Sequence, residues 1–405
     1  MPGARFIHIS LRPVMAGGLS VVLHNLSGLK LSDLARVFGS RSFQFAPKVV
    51  KYVVLLVFLL NIRSWPLNWH FYVWRPVFQL RGSYYLHNLK HCLSPAHVRQ
   101  RKKLEWLESL SPVGKNPFDL TVTYCTWAGP DDCDFNLHLS NSSYPKRLDS
   151  GRFRFGLKLS PTFFRCAGWM GLGATHFTFL REIPMFSRYE LRSTIMSWDN
   201  KWLYVATRFV TKPKKGKSKP RKAVSPSNEP PADGVPIPSL HTANGVISGT
   251  GTPQPQTGTS GNANLATLAA QIIDRPEPDG ATIHCLAISE VVGKIGRITV
   301  PPALILAADG FSRAPDNLDA GAQPWSHANP PPHWETVREL GGQARLENTG
   351  SLKHLRAFYT GGWRDVPEGE RWWEDAMGGE VEERRLRGLG CMQALRRGVE
   401  EARTI

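Results

Sequence analysis

The sequence predicts an α+β protein, and three observations carry that expectation. Runs of β-formers at 118–127, 175–182, 189–198, 202–210 and 281–292 read as strands. Between the first two runs lies a segment in which Tyr144, Leu148, Phe155 and Leu159 recur at offsets that share one helix face. Asp199-Asn200 joins two strand runs as a hairpin, so those neighbours pair antiparallel.

Each element follows from local chemistry. The run 118–127 (FDLTVTYCTW) alternates β-formers. The helix is expected to start near Asn141 or Ser142, because Pro145 then falls in the first turn, where its missing N–H costs nothing. Pro161 should end it. Gly151 and Arg152 stand where the stripe should carry an apolar residue. After 281–292 comes GRITVPPALILAADG, read as a short extended piece and a Pro-started helix.

Flanking segments divide the chain further. Residues 1–48 have few acids and little periodicity, and are expected to be a poorly ordered extension. Residues 49–110 read as apolar and aromatic helices, with Pro66 breaking the run and a Ser-Pro start opening a polar helix at 94–110. The folded domain is expected at 111–212 and 281–314. The stretch 213–280, rich in Pro, Gly, Ser, Thr and Asn, reads as a disordered insertion. Residues 315–405 read as a linker and a charged helical tail, with the final helix facing solvent.

The net charge of +17 is concentrated: up to Lys103 there are fifteen Lys or Arg and one acid, Asp33. That basic stretch is also the most apolar, which points to an anionic membrane surface and away from nucleic acid. The uninterrupted apolar run 52–60 is under half of the roughly 20 residues that cross a bilayer. With Trp65, Trp69, Tyr72 and Trp74 close by, segment 52–74 is expected to lie in or dip into one leaflet, or else to pack as a buried helix on the domain. Cys92, Cys125, Cys133, Cys166, Cys285 and Cys391 form no CxxC pair and read as reduced thiols of a cytosol-facing, membrane-associated protein. No metal or other cofactor is expected, since no His/Cys pair has ligand spacing.

The chemistry concentrates in DDCDFNLHLSNSSY, 131–144. In an extended backbone Asp134, Asn136 and His138 would project to one side. The helix expected just after them would aim free N–H groups, around Ser140, Asn141 and Tyr144, at the same volume. A carboxylate beside such donors suits acyl transfer from a thioester: the donors hold the developing oxyanion, and the acid activates water or attacks directly. Ser140 to Ser143 lack a nucleophile-elbow pattern. Ordinary capping and turn roles for the same Asp and Asn residues are the competing reading.

DCDFNLHLSNSSY resembles the signature of hot-dog-fold thioesterases, in which an acid pair is followed by Asn-x-His, a small residue or Asn, Asn, and a Tyr on the central helix. The pattern is similar to thioesterase superfamily member six and its fungal relatives, and over the core motif to plant acyl-carrier-protein thioesterases. The likeness covers about 118–210 and resumes at 281–292. It implies an antiparallel sheet wrapped round one long helix, a homodimer, and catalytic roles for Asp134, Asn136 and His138. The plant enzymes add a Glu on the strand after the helix; the best register puts Thr178 there, with Glu182 two alternations further on. The implied activity is hydrolysis of a fatty or polyketide-type acyl thioester on coenzyme A or an acyl carrier protein, including chain release in a fungal lipopeptide or other secondary-metabolite pathway. A non-catalytic, membrane-associated acyl-binding scaffold is the alternative. A hydratase is disfavoured, because DFNLH lacks the extra residue and the Pro of that subgroup.

Overall fold

A computed structural model describes residues 47–213, 277–316, 323–342 and 352–401. The expected N-terminal extension falls almost wholly outside these residues, as does most of the expected insertion at 213–280. The chain divides into two units, Met1–Ile62 and Arg63–Ile405. In the first, α1 (Lys48–Leu60) has no buried residue, and Val49 to Leu60 expose their apolar side chains. Among the described residues no helix is long and apolar enough to cross a membrane.

The second unit is α+β. Six strands form one antiparallel sheet: β1 (Val122–Trp127), β2 (Gly168–Phe179), β3 (Arg188–Trp198), β4 (Leu203–Thr211), β5 (Thr282–Ile295) and β6 (Ile298–Val300). Their order is β1-β3-β4-β5-β2, with β6 added to β5. The hairpin expected at Asp199-Asn200 joins β3 to β4, Trp198 pairing with Leu203, and Asp199 Oδ1 accepts from the N–H groups of Lys201 and Trp202.

Two strand expectations need correction at their ends. Only Val122–Trp127 of 118–127 is strand; Pro117–Asp119 form a 3-10 turn in which Asn116 accepts from the Phe118 N–H. β2 begins at Gly168 and ends at Phe179, so Glu182 lies beyond the strand.

The central helix is α4 (Ser143–Leu159), and a short α5 (Pro161–Arg165) follows it. Tyr144, Leu148, Phe155 and Leu159 are all buried, as their spacing predicts. The gap in the stripe has a steric side: a Cβ on Gly151 would stand 3.2 Å from the Leu191 side chain of β3, which would have to shift by a few tenths of an ångström. Tyr144 packs between Phe179 of β2 and Phe209 of β4, which seats the helix across the sheet.

The other side of α4 is covered by α2 (Asn68–Lys90), through Trp74 against Phe153 and the Arg147 guanidinium over the Tyr72 ring. α2 therefore packs on the domain along one face, while Phe71, Phe78, Tyr85, Leu86 and Leu89 remain exposed on it. α3 (Ala96–Glu108) follows, close to its expected span.

The tail differs from its expectation as a charged, solvent-facing piece. Past α6 (Pro302–Ala308), the Pro-started helix expected in the folded domain, helices α7 (His333–Leu340), α8 (Lys353–Tyr359) and α9 (Trp372–Ala376) bring Trp334, Leu355, Tyr359 and Trp373 into the same core as Leu304, Phe155, Leu159 and Phe163. The last helix, α10 (Glu380–Glu401), lies against the sheet. Its Gly388 sits so close to the Met196 carbonyl that a Cβ would clash, and the Ser197 hydroxyl donates to the Arg385 carbonyl at 2.7 Å. An antiparallel sheet with one face on a helix leaves the other open to cover, and α10 supplies part of that cover.

Candidate active site

The segment 128–140 leaves β1 and returns to the start of α4 through a tight turn, not an extended strand. Cys133 bridges Leu139 antiparallel, the Asp134 N–H donates to the His138 carbonyl at 2.9 Å, and Leu137 adopts φ of 65°. This corrects the expectation that Asp134, Asn136 and His138 align by alternation. The turn brings Asp134 and His138 together but sends Asn136 out: its side chain is exposed, and its backbone N–H donates to Asp134 Oδ1 at 2.9 Å.

A second chain segment completes the group. The residues after β2 run antiparallel to 137–139: the Leu139 N–H donates to the Ile183 carbonyl at 2.9 Å, and the Met185 N–H to the Leu137 carbonyl at 2.8 Å. That pairing carries Glu182 to the imidazole. His138 Nδ1 lies 3.6 Å from Asp134 Oδ1, and His138 Nε2 lies 3.1 Å from Glu182 Oε2. Of the two alternatives for a third polar group, Glu182 is the one beside His138; Thr178 stays in β2, paired with Leu286. The side chain of Asp134 is 32% exposed and that of Glu182 is 68% exposed. Beneath Glu182, its carbonyl engages His284 Nδ1 at 2.8 Å, while His284 Nε2 meets the Thr211 hydroxyl at 2.8 Å. Burial lowers the pKa of His284, which suits this packing role.

The start of α4 is only partly as expected. Ser140 gives its N–H to the Asp132 carbonyl at 2.9 Å, and its hydroxyl meets that of Ser142 at 3.0 Å. Asn141 and Ser142 are exposed at the open end of the helix. Tyr144 belongs to the core, in one cluster with Leu139 and Ile183, and burial raises its phenol above the ordinary range.

One residue of the site escaped the sequence reading. Asp132 is completely buried, and its Oδ2 accepts from Arg147 Nε at 2.9 Å and from Arg147 Nη2, while Lys146 Nζ lies 3.3 Å from Oδ1. This ion pair ties the turn to the first turns of α4. The available signal was Lys146-Arg147 just inside an expected helix, opposite an acid pair. Its neighbour Asp131 accepts from the Ser64 hydroxyl through Oδ2, and its Oδ1 is buried without a partner. The Cys133 thiol is raised by burial first, then by Asp132. Among the described residues no group of three or more His, Cys, Asp or Glu has metal-holding geometry.

Residues 128–221 match the model of the Thioesterase-like superfamily. Thioesterase lcsJ of Purpureocillium lilacinum is 28% identical over 191 residues, covering 41% of this chain and 60% of its own length. Protein THEM6 of Danio rerio is 35% identical over 85 residues, 20% of this chain and 41% of its own. Thioesterase poxG of Penicillium oxalicum is 33% identical over 99 residues, 20% of this chain and 31% of its own. The chain thus spans less than two thirds of each of these relatives. A Staphylococcus aureus protein solved in complex with CoA aligns with 47% of this chain and 81% of its own at 11% identity, with a TM-score of 0.28 that is too low to carry weight. The resemblance read in 131–144 lies inside the segment that the family model matches.

Proposed function

Proceeding from a segment that matches the Thioesterase-like superfamily, we propose that this chain is a hot-dog-type hydrolase of a fatty or polyketide-type acyl thioester carried on coenzyme A or an acyl carrier protein. One observation supports this most: the line Asp134–His138–Glu182, with an imidazole nitrogen 3.6 Å from one carboxylate and the other 3.1 Å from the second, beside the open start of α4.

Asp134 takes a proton from water, and the water oxygen adds to the acyl carbonyl. Backbone N–H groups at Asn141 and Ser142 hold the oxyanion. As the tetrahedral species collapses, the carbon–sulfur bond breaks, and the proton taken by Asp134 passes to the departing thiolate. The products are a carboxylic acid and a free thiol. In the covalent version, Asp134 attacks the carbonyl, the carbon–sulfur bond breaks to expel the thiolate, and water then hydrolyses the anhydride to the acid and the free Asp134 carboxylate, the proton released going to the thiolate. His138 hydrogen-bonds the acid or the thioester oxygen, with Glu182 holding the ring. Asn136 acts from the exposed turn, on water or on the incoming thioester. In a secondary-metabolite setting the same step releases a pathway chain.

The working unit is a homodimer at a membrane surface facing the cytosol. Phe135 and Leu137 on the turn and Phe186 opposite it are exposed apolar side chains that a second copy would cover. The exposed apolar face of α2, within the expected 52–74 segment and beyond it, meets lipid.

Hydrolysis of a panel of acyl-CoA and acyl-carrier substrates by the wild type and Asp134→Asn tests the reading. The expected loss of kcat is roughly a hundredfold or more. Equal turnover by both proteins removes Asp134 from the mechanism. The exposure of Asn136 favours a second reading, a non-catalytic acyl-binding scaffold; tight binding of an acyl thioester without turnover establishes it.

A further inference from the structure

Away from the turn, α4 carries a second cluster of charge. Arg154 and Lys158 lie about three and four helical turns along from Ser143, at the far end of the helix. They line two adjoining cavities that share Ser109, Leu110, Arg154 and Lys158. The larger, of about 600 Å³, adds Lys115 and His327 with the hydroxyls of Ser111, Thr121 and Thr123. The smaller, of about 330 Å³, runs between α2 and α4 and adds Pro76, Leu80, Leu157 and Pro161. Among the described residues no carboxylate lines either cavity.

Three cations without an acid leave a positive potential that a water-filled cleft only partly screens. Arg154 stacks its guanidinium over the Tyr124 ring at 5.4 Å, while its Nε is buried with no hydrogen-bond partner. Planar guanidinium and flexible ammonium side by side, with hydroxyls around them, is the donor set that phosphate takes. The apolar cavity next door accepts a short aliphatic segment.

We propose that the cleft between α2, the loop after α3 and the C-terminal half of α4 is a binding site for a phosphate-bearing amphiphile, with Arg154 and Lys158 on the phosphate and Leu80 and Leu157 on the chain. The site is separate from the Asp134 group and does not depend on its being catalytic.

Isothermal titration of the full chain with monomeric dihexanoyl phosphatidic acid, inorganic phosphate and free CoA tests it. Saturable binding of the short-chain phosphatidic acid is expected, weakened roughly tenfold or more in Lys158→Glu and in Arg154→Gln. Lys158 is exposed, so its reversal leaves the fold intact even if the Arg154 change perturbs the Tyr124 stack. Turnover of an acyl thioester, where present, is expected to be unchanged in Lys158→Glu. Tighter binding of the phosphatidic acid than of inorganic phosphate or CoA supports the amphiphile; tighter binding of CoA or of inorganic phosphate, neither of which has an aliphatic chain for Leu80 and Leu157, overturns it. Absence of saturable binding by any of the three probes, or equal affinity in wild type and Lys158→Glu, overturns it.

Discussion

Asp134 spends one oxygen on its own turn. Oδ1 accepts from the Asn136 N–H and is also the atom nearest His138, which leaves Oδ2 as the oxygen that the proposed mechanism assigns to water. His138 is held from the other side by Glu182, but that partner is mostly exposed, and exposed pairs contribute only about 0–1 kcal/mol. Glu182→Gln is therefore expected to lower kcat/KM by less than roughly tenfold, far less than Asp134→Asn. Steady-state kinetics on one acyl thioester compares the two; equal losses would make Glu182 a full partner in proton transfer. That Asp134 and His138 stand together was legible because the motif is local. Glu182 was legible only as a candidate, since its place depends on a strand ending at Phe179 and a later segment folding back on 137–139.

Among the elements, the turn and α4 are held together by a buried charge pair. Asp132 and Arg147 are both almost completely buried, and removing one partner leaves the other uncompensated, at a cost of about 3–5 kcal/mol. Asp132→Ala should lose stability on that scale in urea unfolding, whereas Asp149→Ala, a partly exposed partner of Arg152, should lose under about 1 kcal/mol. Similar losses in the two variants would mean that the turn is anchored by its backbone bonds alone. The α4 stripe was readable from spacing. The crowding at Gly151 was not, because it depends on Leu191 of another element.

For the whole molecule, Asp309 joins the two halves of the core. It closes α6 and accepts from the Thr162 and Phe163 N–H groups at the start of α5, at 2.7 and 3.4 Å. Complete burial raises its carboxyl from 3.8 to about 7. Between these values the folded chain holds a proton that the unfolded chain has lost, so this group's contribution to stability falls as pH rises and levels off above about 7. The slope is at most about 1.4 kcal/mol per pH unit. Buried His333, lowered to about 4, acts in the opposite sense below its ordinary 6.5. Calorimetric melts of wild type and Asp309→Asn from mildly acidic to mildly basic pH cancel the His333 part. The wild type should lose more stability toward high pH than the variant, and parallel profiles would show that Asp309 titrates normally.

What the sequence determined by itself is whatever depends on neighbours along the chain: the β-runs, the helix opened near Ser142 and stopped before Pro161, the Asp199-Asn200 hairpin and the local grouping of Asp134 with His138. Tertiary structure alone decided that Glu182 rather than Thr178 stands beside His138, that Asp132 is sealed against Arg147, and that the charged tail supplies core residues rather than lying in solvent. Spacing reports which side chains share a face, but burial and ion pairing arise from contacts between residues far apart in sequence, and those exist only once the sheet has closed on its helix.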